Sequence, residues 1–265
     1  MGRVRWTAAI IALMSASVVA IQLVSVSDEI AIGKQVQAEI RRQTPELTDS
    51  TATAYVSRIG RQLAAHAPGT RYPYSFSVAN YREINAFALP GGPVWVNRGA
   101  IQAAGNEAQL AAVLAHEVAH VAERHSAQQL SKAIVTSLGL NLLGALLGNS
   151  GGANAANIAA RYVASGAFLK FSRDDEREAD RVGAQILARS GWDPRGMIEL
   201  LQTIREQEKR DPSSVEVFFS NHPSPKDRIA ELQPAMPRRS GKRDSPQFQS
   251  IRARLKTLPA ARSMK

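Results

Sequence analysis

The sequence contains no cysteine. That excludes disulfides, a thiolate nucleophile and a cysteine-held structural zinc, so any metal must be bound by histidine and carboxylate. Histidine is also scarce, with five in 265 residues, yet three of them fall within "VLAHEVAHVAERH", residues 113–125. Acid is nearly missing from the end of the chain. From Gln233 to Lys265 there are nine Lys/Arg against Asp244 alone, a net of +8. The other 232 residues carry 24 basic against 22 acidic side chains, so the formal +10 belongs to the tail and the body is almost neutral. A nucleic-acid-binding face spread over the body is therefore not expected, and an anionic membrane surface is the partner that a basic tail fits best.

Charge is missing again from Trp6 to Ser27, after Arg3 and Arg5. This pattern predicts export, with Ser25 and Ser27 at the small-residue positions of a cleavage site before Asp28, and Val18 and Ala20 as an alternative pair. About 20 apolar residues would also suffice for an uncleaved anchor; a cleaved signal is the preferred expectation. No cysteine follows the apolar run, so a lipid-modified anchor is not expected. The expected organisation is a signal or anchor over 1–27, a folded domain over 28–235, and a basic, largely disordered tail over 236–265, within which "FQSIRARLKTL" could form one amphipathic turn or two.

Within the domain, "DEIAIGKQVQAEIRRQ" and "TDSTATAYVSRIGRQLAAHA" place apolar residues at helical spacing, and Pro68-Gly69 ends the second. Strands are expected near 74–79, 85–89 and 93–97, where "LPGGP" supplies a turn. A long helix begins at Asn106, with Asn106 as its cap. The uncharged stretch from Ala133 to Gly148 is expected to be a buried helical hairpin, with a mobile or membrane-touching loop as the other reading. Helices then follow over about 155–169, 173–190 and 195–209. The expected fold class is α+β: mainly helical, with a small antiparallel sheet beside the helix carrying "HEVAH".

On a helix, His116 and His120 lie about 40° apart on one face, where both imidazoles reach one ion, and Glu117 stands beside them. Their neighbours Val113, Leu114, Ala115, Val118, Ala119 and Val121 are apolar or small. A polar triplet there is costly unless it is paired or bound to a metal. His125 would fall about 180° from His116 on a continuous helix and is expected to be a surface or structural histidine. The best third ligand lies in "SRDDEREADRVGAQ". Ser172 can cap a helix there, Glu176 can ligate, and Asp180 one turn on can accept the second N–H of a ligand imidazole. Gly183 would let the two helices approach closely, while Glu178 points away as a surface acid. Two histidines and one glutamate leave a fourth position open, the arrangement of catalytic rather than structural zinc. Glu117 would then be the base for water attacking a peptide carbonyl.

"HEVAH" with "EREAD", together with "NAFALPGGPVWVNRGAI" at 85–101 and "NHPSPKDRIAEL" at 221–232, resembles the gluzincin (zincin-fold) metalloendopeptidases of the HtpX, BepA, LoiP and OMA type, the family that also contains the CAAX prenyl proteases. The resemblance runs over about residues 30–232 in four ordered blocks. It implies one Zn²⁺ per subunit on His116, His120 and Glu176, Glu117 as catalytic base, and Asp180 behind the ligands. It further implies that His222 sits over the zinc and competes with water, with Arg228 near enough to help stabilise an oxyanion. Read from the residues alone, His-Pro-Ser-Pro merely starts a helix and Arg228 packs on it. "PVWVN" is expected to be an edge strand that pairs with an extended peptide. Only 33 residues follow Leu232, without a helical-repeat pattern, and the long spans of the HtpX and prenyl-protease branches are lacking. The expectation is an exported, periplasmic or membrane-associated zinc endopeptidase acting on protein or peptide substrates, in particular unfolded envelope proteins, and not on nucleic acid. The alternative is a chaperone-like or membrane-associated binding factor whose metal site is latent.

Overall fold

The computed structural model of the protein describes residues 24–133, 170–222, 226–238 and 240–264. Nearly all of the expected signal or anchor, the uncharged segment up to Gly148, and the helix expected over about 155–169 lie outside the described residues.

Helix α1 (Val26–Gln43) starts at Ser25, whose side chain and that of Asp28 cap each other's backbone N–H. Helix α2 (Ser50–Ala64) is capped by Asp49 and buries Ala52, Tyr55, Val56, Ile59 and Leu63, a single face at helical spacing. The strands follow: β1 (Ser75–Ala79), β2 (Ala86–Ala88) and β3 (Pro93–Asn97). Their order is β1-β3-β2, with β1 parallel and β2 antiparallel to β3. The α+β expectation holds, but the sheet is mixed rather than antiparallel, and "PVWVN" is its central strand, buried along its whole length. The reason lies in residues 80–85. They are tied down away from the sheet, Arg82 N–H donating to Arg262 O at 2.9 Å and Ile84 N–H to Ser214 O at 2.8 Å. The chain therefore passes β3's position before turning back through Gly91 and Gly92, both at positive φ. The edge strand beside the site is β2.

Helix α3 (Arg98–Ala103) leads to α4 (Glu107–Ala122), capped by the Asn106 side chain on Gln109 N–H. Every residue of α4 from Glu107 to Val121 is buried. Its small and aliphatic residues lie all round, as expected of a helix enclosed on every side. It packs against α2, the sheet, α6 (Arg173–Arg189) and α7 (Gly196–Arg210). Gly183 of α6 permits the closest approach: a Cβ there would lie 3.3 Å from the Ala115 carbonyl and 2.7 Å from Met197 Cε. Residues 125–133 form α5. A 3₁₀ turn (Pro212–Ser214), which packs on α7, leads into α8 (Glu216–Asn221), and α9 (Lys226–Ala235) packs on α6 and α7.

The expected disorder of the 236–265 tail is overturned. Its residues 246–257 form α10 (Pro246–Thr257), with Ser245 accepting from Phe248 N–H and Pro246 in the first turn. Phe248, Ile251 and Leu255 are buried against α2 and α3. Buried Arg98 donates to the carbonyls of Leu255, Leu258 and Pro259 at the end of α10. Lys242, Arg243 and Arg254 pair with Glu107, Glu199 and Asp49. Composition misled here because the basic side chains serve as ion-pair partners, while three apolar residues at spacings of three and four supply the core contact.

Candidate active site

The site is built on the second half of α4. His116 and His120 point to one side, their Nε2 atoms 3.0 Å apart. From α6, Glu176 brings Oε1 to 3.3 Å from His120 Nε2 and Oε2 to 3.5 Å from His116 Nε2. His222, just beyond α8, closes the group with Nδ1 2.8 Å from Glu176 Oε1. One donor atom from each of these four buried residues lies within 4.8 Å of the others. Glu117 faces the same space, its Oε1 3.7 Å from His222 Nε2, and it also bonds the backbone of Ala88 on β2.

Behind the donors, Asp180 Oδ1 lies 3.1 Å from His116 Nδ1. Arg228 of α9 grips the Asp180 carboxylate through Nε and Nη2 at 2.7 and 2.6 Å, and its Nη1 reaches Glu176 Oε2 at 2.5 Å. Such forked, charge-assisted bonds fix both acids in position. Burial works against ionising these acids, but His222 and Arg228 beside Glu176, and Arg228 and His116 beside Asp180, hold both below the ordinary carboxylate range. Burial, helped by charge on His116 and His125 and opposed by Glu176, drives His120 well below a free imidazole. Burial opposes charge on His116 too, yet Asp180 and Glu176 outweigh it and lift His116 to about 10. Burial raises the Glu117 carboxyl.

The residues fit a divalent metal. Two imidazoles and a carboxylate converge where the acids favour positive charge, and two nitrogens with one oxygen are a zinc donor set. Glu117 Oε2 and His222 Nε2 are buried there with no hydrogen-bond partner, which is rare in a satisfied interior. A model of peptidase family M48 matches residues 50–235 of this sequence. The chain belongs to peptidase family M48. Among characterised relatives, it is 33% identical over 216 residues to the beta-barrel assembly-enhancing protease of Escherichia coli K12, covering 79% of this chain and 44% of that protein. It is also 33% identical over 193 residues to the mitochondrial metalloendopeptidase OMA1 of Schizosaccharomyces pombe, covering 73% of this chain and 56% of that protein. The match to OMA1 of Saccharomyces cerevisiae is 35% over 159 residues. The chain thus spans about half the length of these M48 relatives.

Arg228 lies at the site, with its guanidinium on the carboxylates of Asp180 and Glu176. Of the two readings of His125, surface or structural, the structure has the second. It is buried, not on the surface, with Nδ1 2.9 Å from His120 Nδ1. Helical-wheel geometry missed it because α4 ends at Ala122, and Arg124 turns the chain in a left-handed conformation at φ 60°. Phe171, also missed, stacks on His120 with ring centroids 3.8 Å apart. An apolar cavity lined by Ala86, Ala100, Ala104, Val113, Leu200 and Phe218 opens beside His116 and Glu117.

Proposed function

We propose that this chain is an exported zinc endopeptidase that cleaves unfolded or unassembled envelope proteins. The observation that carries the reading is the meeting of His116, His120 and Glu176 with Glu117 at the free edge of β2. Asn97 N–H donates to Asn85 O, and Leu89 N–H to Pro93 O, so residues 85 and 89 turn their backbone towards β3. By alternation, the backbone N–H and C=O of Ala86 and Ala88 face the other way, towards the site. An extended peptide of any sequence can pair there, which suits a protease for unfolded chains.

In this reading His116, His120 and Glu176 hold the zinc, with Asp180 and Arg228 keeping them aimed. The zinc, when bound, supplies Lewis-acid polarisation of the scissile carbonyl and of water. Glu117 takes the proton of the attacking water and delivers it to the leaving amine; a carboxyl raised by burial is suited to both transfers. His222 would be the fourth donor and keep water out, a latent form, which its place beside Glu176 supports. Cleavage needs the α8 segment to withdraw.

Among the described residues, no helix is long and apolar enough to cross a membrane. Export rests on the N-terminal pattern. Of the two cleavage sites, the one before Asp28 would remove Ser25, the cap of α1, and Val24, whose carbonyl Arg124 holds at 2.6 Å; the one after Ala20 leaves both in place. The folded tail uses three of its cations in ion pairs, so binding to an anionic membrane surface falls to the remaining tail charge and should weaken with salt. A second reading, a chaperone-like factor with a latent site, is favoured by the burial of His222 alone. Cleavage of unfolded casein by wild type and Glu117→Gln separates the two. A protease loses cleavage in the variant, whereas a binding factor shows none in either and suppresses aggregation equally in both.

A further inference from the structure

His125 is absent from the four-residue donor group, yet it is the partner of one of its members. The His120 and His125 rings are both almost wholly buried, and their Nδ1 atoms are 2.9 Å apart. His125 Nε2 in turn lies 3.4 Å from Glu178 Oε2, on a carboxylate that is partly exposed. A histidine that binds a metal through Nε2 must carry its proton on Nδ1. For His120 that N–H has one direction to point, at the Nδ1 lone pair of His125. Accepting there leaves the His125 proton on Nε2, facing Glu178. The protonation of all three groups is therefore consistent in a single arrangement, His120 donating to His125 and His125 to Glu178.

The backbone places His125 there at a cost. A residue with a side chain is disfavoured in the left-handed region, and Arg124 sits there at φ 60°. Such an outlier persists only where its surroundings hold it. Here Arg124 Nε donates to Glu29 Oε1 at 2.6 Å, and its Nη2 to the Val24 carbonyl at 2.6 Å. Glu29 is buried and also accepts from Tyr72 Oη at 3.3 Å. Had α4 continued, His125 would stand about 140° round the helix from His120 and away from it. The clamp at Arg124 brings it back.

We propose that His125 is a positioning residue for the metal ligand His120, fixing its tautomer and ring orientation, and that the left-handed turn at Arg124, clamped by Glu29, exists to put it there. The two ligand histidines would then have unlike supports, a carboxylate (Asp180) for His116 and an imidazole backed by Glu178 for His120. This rests on the zinc reading above.

Zinc affinity, measured by chelator competition on the purified full chain, tests it. Loss of such a supporting partner typically costs about 10–100-fold in metal affinity. His125→Leu should show a loss of that size. His125→Asn, whose Oδ1 can stand near the Nδ1 position, should recover most of it. A Leu variant that binds like wild type overturns the proposal, and so does an Asn variant as weak as the Leu variant, which would make the residue mere packing. A second measurement needs no variant. In zinc-loaded protein labelled with ¹⁵N-histidine, a through-hydrogen-bond coupling between the Nδ1 atoms of His120 and His125 should be resolved, and its absence overturns the proposal even if His125→Leu fails to fold. Wild type that takes up no zinc overturns the zinc reading itself, a failure distinct from normal uptake by His125→Leu.

Discussion

Phe248 lies in a segment whose composition reads as a disordered tail, and its truncation gives a sharp test of the fold. Its side chain is wholly buried, its ring packs on Tyr55 with centroids 6.5 Å apart, and the Arg252 guanidinium lies over the ring at 5.7 Å. Phe248→Ala removes a large buried ring from a site walled by α2 and α3, where little can collapse into the space. Such changes cost about 3–5 kcal/mol. For a chain of this size each kcal/mol moves the midpoint by about 2–4 °C, so the variant should melt about 6–20 °C below wild type. Ser250, exposed on the same helix, is the control: Ser250→Ala should stay within about 0.5 kcal/mol. Removing residues 240–265 altogether exposes the sites of Phe248, Ile251 and Leu255, each worth about 1.5–3 kcal/mol. That sum is comparable with the whole stability of a domain, about 5–15 kcal/mol, so the truncated chain should not fold. Thermal melts followed by circular dichroism read both. A midpoint for Phe248→Ala indistinguishable from that of Ser250→Ala would refute the reasoning and restore the disordered tail.

Replacing His222 by Ala should raise cleavage of unfolded casein over wild type while zinc content stays the same; an unchanged or lower rate sinks the latent form. Gly183→Leu forces a side chain into the Ala115 carbonyl and Met197, so overpacking of about 1–3 kcal/mol should appear in the melt together with weaker zinc retention, because α6 carries Glu176. A normal melt and normal retention would mean that the helices are not in close contact there. Glu107 gives a pH test. Burial opposes its charge, but Lys242 and Trp192 outweigh it and lower its pKa below the ordinary 4.5. A carboxylate held low in the folded state stabilises above its unfolded pKa, and that contribution drains as pH falls through the folded value. Wild type should therefore lose midpoint temperature as pH falls below about 4.5. Lys242→Met should lose about 1–2 kcal/mol at neutral pH, discounted because Lys242 is half-exposed, and should show a shallower decline in acid. Parallel profiles for the two proteins would contradict this.

The site was more legible than its supports. Two histidines at i and i+4, with a glutamate between, sit on one helix face in any continuous helix, and α4 is continuous through His120. Ser172, Glu176 and Asp180 were legible for the same reason: a capping residue fixes the helix start, and four residues is about one turn. Strand positions were also readable to within one or two residues, because the alternating runs and the Gly-Gly turn are local. The pairing order was not. Whether β3 is central or at the edge depends on where distant segments, Arg262 and Ser214, hold residues 80–85. His125 was hidden by a backbone turn at an arginine, a residue that carries no signal for positive φ. The tail was misjudged because its basic composition outweighed the spacing of Phe248, Ile251 and Leu255. The Ser245-Pro246 pair, a cap followed by proline in the first turn, was the local signal that could have corrected it. Arg228 was correctly placed near the site, but its partners are acids on another helix, which no local pattern specifies.

The central claim is that His116, His120 and Glu176 hold a zinc ion. Elemental analysis of full-length protein, purified without chelator, tests it most directly when wild type is compared with His116→Ala/His120→Ala and with Glu176→Gln. The account predicts one zinc per chain in wild type, none in the double variant, and marked loss in Glu176→Gln, with all three proteins folded. Wild type without zinc, or a double variant that keeps its zinc, would contradict it.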